Sequence, residues 1–124
     1  MFLQNMDNYQ EIKAELYQKL LEAHAFWSYD ISNRKSIPDE ILIEKTIVYL
    51  GHEELQMLFK IFKKKYIKKV WRERLAIAGD YYKNINYMMA HIYFEIKDPN
   101  KYMKTAFTIH LKKMTGQYEK NYIP

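Results

Sequence analysis

The chain has 124 residues, 48% of them apolar and 16% aromatic, which is enough for one packed domain and too aromatic for an intrinsically disordered segment. It contains no cysteine, which excludes disulfides, thiol catalysis, iron–sulfur clusters and Cys-ligated zinc, and suits a reducing cytoplasm. The net charge of +5 is local: residues 60–74 hold eight basic side chains and one acid, a balance of +7, whereas the other residues hold 12 basic and 14 acidic side chains, a balance of −2.

Residues 1–8 show neither the basic start nor the apolar run of a signal peptide, and no stretch approaches the ~20 apolar residues that span a bilayer. A cytoplasmic chain without a membrane partner is the expectation. Tyr9, Ile12, Leu16, Leu20 and Ala23 recur at helical spacing and predict a first helix over residues 8–25. The aromatic cluster Phe26, Trp27 and Tyr29 follows as a plug for the core, and residues 32–37 read as a polar loop.

A second helix over 39–50 is punctuated by Ser36 as a cap, Pro38 in the first turn, and Asp39 and Glu40 at the positive end of the dipole. Ile41, Leu42, Ile43, Ile47, Val48, Tyr49 and Leu50 wrap most of its circumference, the pattern of a central buried helix, and Gly51 is placed to end it as a left-handed cap. Leu55, Leu58, Phe59 and Phe62 predict a third helix over 53–62. After Lys63, Lys64 and Lys65, a fourth helix over 66–76 turns Ile67, Val70, Trp71 and Leu75 inward. Beyond Gly79 and Asp80, a fifth helix over 81–96 buries Ile85, Met88, Met89, Ile92 and Ile96. Asp98 and Pro99 stop the chain and restart it as a sixth helix over 100–114, with Met103, Ala106, Phe107 and Met114 inward. No alternating pattern or hairpin signal predicts a strand. The fold expected is all-α, a compact bundle of five to six helices with a central buried helix at 39–50, in a single domain 1–124 whose ends, 1–7 and 115–124, are flexible.

Residues for catalysis are sparse. His24, His52, His91 and His110 fall on different elements and form no paired-ligand motif. His52 reads as a helix-start residue beside an acidic first turn, and His91 and His110 as partly buried structural residues. Ser28, Ser32 and Ser36 lack a basic neighbour in sequence, and three glycines leave little for a phosphate cradle. No enzyme activity, metal or cofactor is expected.

The sharpest feature is the basic helix. Lys65, Lys68, Lys69 and Arg72 stand at i, i+3, i+4 and i+7 and so share one face, opposite the core stripe that holds Trp71. Four like charges repel by a few tenths of a kcal/mol per neighbouring pair unless something acidic meets them. An acidic protein surface, a nucleic-acid backbone, or solvent alone would each account for such a face. The short link between the third and fourth helices also invites a helix-turn-helix reading. However, its outward Lys and Arg residues suit phosphate and not base edges. Tyr81, Tyr82, Tyr87, Tyr93 and Tyr102 add aromatic surface of the kind favoured at protein interfaces, with Tyr82 taken as a contact residue beside the four cations.

The run Phe26-Trp27-Ser28-Tyr29-Asp30 resembles the opening of a family of small bacterial, Bacteroidetes-type proteins of unknown function that accompany nucleotidyltransferases of the AbiEii toxin kind. The resemblance continues through Ile41-Leu42-Ile43-Glu44-Lys45, Tyr49-Leu50-Gly51, Leu58-Phe59 and Tyr66-Ile67-Lys68-Lys69-Val70-Trp71, and covers residues 26–76. It implies an antitoxin-like or regulatory partner of a nucleotidyltransferase and carries over no catalytic residue. The leading expectation is a non-enzymatic interaction module that meets an acidic protein surface. The alternative is a nucleic-acid-binding module that uses the basic helix 63–76.

Overall fold

The computed structural model describes residues 2–26 and 37–115, with side chains from residue 8 onward. The described residues form an all-α protein: α1 (Phe2–Glu22), α2 (Asp39–Tyr49), α3 (His52–Ile61), α4 (Lys64–Arg74), α5 (Lys83–Met88) and α6 (Pro99–Met114). A 3-10 helix (Ala76–Tyr82) and a π-helical turn (Met89–Tyr93) flank α5. There is no strand among the described residues, and none of their helices is long and apolar enough to cross a membrane. Contacts divide the chain into two units, residues 1–67 and 68–124, with the boundary inside α4.

In the first unit, α1, α2 and α3 pack on one another. Leu16 and Leu20 of α1 are fully buried, at about 2 kcal/mol each for a side chain of that size. Helix α1 begins at Phe2, six residues before the predicted start. It ends in a Schellman closure: Ala25 N–H bonds the Leu20 carbonyl at 3.1 Å and His24 N–H bonds that of Leu21 at 3.1 Å. That closure turns Ala23 out to solvent and buries Ala25 and Phe26, the latter 5.8 Å from the Tyr17 ring. Trp27, Ser28, Tyr29, Ser32 and Ser36 lie outside the described residues, and Ile37, read as loop, is buried.

Helix α2 packs against both α1 and α3 and buries Leu42, Ile43, Thr46 and Ile47, whereas Tyr49, expected in the apolar wrap, is exposed at its last turn with Lys45 Nζ 5.8 Å from its ring centre. Pro38 sits just before its first residue. Gly51 is not a left-handed cap. Leu50 closes α2 in an extended conformation, and Gly51, at φ −103°, opens α3 as its N-cap. With only two residues between the helices, the turn serves the next helix: Gly51 N–H donates to Glu54 Oε1 at 2.9 Å, the side-chain half of a capping box.

In the second unit, α6 packs on the 3-10 helix, which also meets α5. Asp98 caps α6 by accepting from Lys101 N–H at 3.2 Å, with Pro99 in the first turn. Two predicted inward faces are corrected. Ile92 is 61% exposed because the π-helical turn spends an extra residue there: Phe94 N–H reaches the Met89 carbonyl at 3.0 Å, and Phe94 takes the buried place. On α6, Ala106 is buried, but Phe107 and Met114 are exposed, because the helix carries two adjacent apolar rows and only the Tyr102–Ala106 row meets the core.

Candidate interaction site on the fourth helix

Helix α4 buries Ile67, Val70 and Trp71, and Leu75 just past its end is buried with them, the stripe the spacing predicts. Within the second unit, Trp71 is fixed by polar and aromatic contacts together. Its Nε1 donates to Asn86 Oδ1 at 2.9 Å, and Asn86 Nδ2 donates to the Leu75 carbonyl at 2.9 Å, so the amide satisfies an indole and an end-of-helix carbonyl at once. The Phe94 ring lies 5.1 Å from the indole, and Tyr102 stacks on it at 5.7 Å and 13°. Asn86 was missed by sequence reasoning. Its signal was a polar residue inside an apolar helix, in a chain with an indole N–H to satisfy.

Of the four cations, Lys68 stands on this base. Lys68 Nζ lies 5.6 Å from the centre of the Tyr102 ring, so a column runs from ammonium to phenol ring to indole. Lys68 and Arg72 are half-buried, with Lys65 and Lys69 exposed on the same helix. None of the four forms an ion pair with a described residue. The charge is divided between the units. Residues 68–124 hold 11 basic and 5 acidic side chains, +6, and residues 1–67 hold 9 and 10, −1.

Tyr82 lies in the 3-10 helix, half-buried, its ring edge-on to Tyr81 at 4.6 Å. It is Tyr81, at 81% exposure, that presents the open aromatic surface there. His91, expected to be partly covered, is exposed on the π-helical turn, and His110 is half-buried. His52 opens α3, 3.3 Å from Gln56 Nε2 through its own Nε2. Among the described residues no three His, Asp or Glu side chains gather closely enough to hold a metal ion. The link between α3 and α4 is two residues, Phe62 and Lys63, and Phe62 is buried; helix-turn-helix turns use three or four.

Fold and site together define an all-α protein whose net positive charge falls on residues 68–124. Compared with known proteins, the chain matches no family model, no curated protein and no solved structure.

Proposed function

We propose that this chain is a non-enzymatic interaction module of the cytoplasm, an antitoxin-like or regulatory partner that docks on an acidic protein surface through Lys65, Lys68, Lys69 and Arg72. The observation that carries the reading is the preorganised base beneath Lys68. Lys68 rests on Tyr102, which stacks on a Trp71 held by Asn86, so part of the face is set before a partner arrives. A fixed charge loses less side-chain entropy on binding than a free one, and the absence of acidic partners among the described residues leaves the face's potential unspent. The resemblance over residues 26–76 supports a nucleotidyltransferase as the partner's class.

The double variant Lys68→Ala/Arg72→Ala tests the reading. A protein partner should then bind at least about tenfold more weakly, and truncating Tyr81 or Tyr82 should weaken it as well, since interface aromatics carry binding energy. Loss of binding to every nucleic-acid sequence alike, with a flatter salt dependence and no effect of the tyrosines, would instead assign the face to phosphate.

A further inference from the structure

Helix α6 carries four lysines and a histidine over sixteen residues, and no acid. Its inner apolar row, Tyr102 and Ala106, is occupied by the core. The second row, Met103, Phe107, Leu111 and Met114, repeats at four, four and three residues and so lies along one side. Phe107, Leu111 and Met114 are 43%, 44% and 70% exposed. Met103 and Phe107 form one wall of a cleft of about 190 Å³, and Ala76 and Tyr87 belong to the other. Lys83, Lys104 and Asp80 complete its lining as the charged groups. The Tyr87 hydroxyl donates to Asn100 Oδ1 and ties α5 to the first turn of α6, so the cleft has a braced end, and the apolar row continues past it through Leu111 and Met114.

We infer that this groove binds an amphipathic helix of a partner protein, with apolar anchors at i, i+3 or i+4 and i+7 and acidic flanks. The row from Met103 to Met114 runs about 16 Å at the helical rise, the length of three turns of an incoming helix. Met and Phe are the adaptable side chains that such grooves use. Charge selects the occupant. The unit is +6, Lys83 and Lys104 outnumber Asp80 in the cleft, and α6 adds no acid, so acidic flanks are favoured and a second copy of the same unit is repelled. A bilayer is planar and does not enter a cleft, and a nucleic-acid backbone offers no apolar row to cover Phe107, Leu111 and Met114. The inference takes the partner's acidity from the interaction-module reading but places it on a surface separate from α4.

The test is a displayed library of helical peptides about four turns long, selected on the full chain. Enriched peptides are then measured by fluorescence anisotropy against wild type, Phe107→Ser, Met114→Ser and Lys68→Ala/Arg72→Ala. Both groove positions are exposed enough to change without unfolding, which circular dichroism checks. We expect apolar residues at helical spacing between Asp and Glu, an affinity loss of about tenfold or more in Phe107→Ser, and little change in the α4 variant. Enrichment without that pattern, or binding that survives both Phe107→Ser and Met114→Ser, overturns the groove. Peptides that depend on Lys68 and Arg72 but not on Phe107 overturn it as well, and leave the α4 reading standing.

Discussion

The indole Nε1 of Trp71 donates to Asn86 Oδ1 at 2.9 Å, with both side chains at 0% exposure. The same amide closes the Leu75 carbonyl, so three polar groups are satisfied in one buried spot. Asn86→Leu would leave the indole N–H unpaired in the core and take from the Leu75 carbonyl one of its two donors, the other being Ala78 N–H at 3.0 Å. The expected loss is about 2–4 kcal/mol in chemical denaturation, more than an apolar replacement of similar size would cost elsewhere. Asn86→Asp keeps the acceptor for Trp71 but sets a carboxyl oxygen against the Leu75 carbonyl at a fully buried position, so it should cost at least as much as Asn86→Leu. A loss below that of an exposed substitution would show that the pair does not fix α4.

Lys68 and Tyr102 should couple. A double-mutant cycle with Lys68→Met and Tyr102→Leu is expected to return about 0.5–1 kcal/mol of interaction, the range for an ammonium over a phenol ring at a partly covered site. Additivity would mean that Lys68 is not held for binding.

His24 adopts φ 57° at the end of α1, the left-handed position that glycine fills at lowest cost. Relief of that strain outweighs the extra freedom glycine has in the unfolded chain, so His24→Gly should stabilise by about 0.5–1 kcal/mol, and His24→Val should destabilise. Thermal unfolding of the three proteins checks the order.

Lys13 Nζ meets Asp39 Oδ1 at 2.6 Å, joining α1 to α2. Burial pulls the ammonium's pKa down, but the hydrogen bond and charge of Asp39, with a further push from Tyr9, outweigh it and leave the value above the ordinary 10.5. A raised lysine pKa gives stability that is complete below the unfolded value and lost as pH climbs through the folded one. Burial also raises the Tyr93 phenol, with the same alkaline direction. Stability should therefore fall above pH 10.5, and Lys13→Met should flatten part of that fall.

What was legible in the sequence was local. Asp39 and Glu40 marked the start of α2, and Asp98 with Pro99 marked the start of α6. The Ile67, Val70, Trp71 and Leu75 stripe was visible because one helical period runs through it undisturbed. Reading failed where the period changes or the face is ambiguous. The 3-10 and π-helical segments around α5 shift the register, so Ile92 leaves the core and Phe94 enters. On α6 two apolar rows compete, and only tertiary packing chooses between them. The shared face of Lys65, Lys68, Lys69 and Arg72 follows from helical geometry. The contact between Lys68 and Tyr102 does not, because it joins distant stretches of chain.

Whether the chain serves a protein partner is decided by a tagged pull-down from the source cell, washed at low and then high salt, with protein and nucleic acid both assayed. The expected result is a stoichiometric acidic protein, a nucleotidyltransferase by the resemblance, that survives the high-salt wash and is lost from the Lys68→Ala/Arg72→Ala variant. Nucleic acid retained at low salt and released at high salt, with no protein in stoichiometric amount, would contradict it.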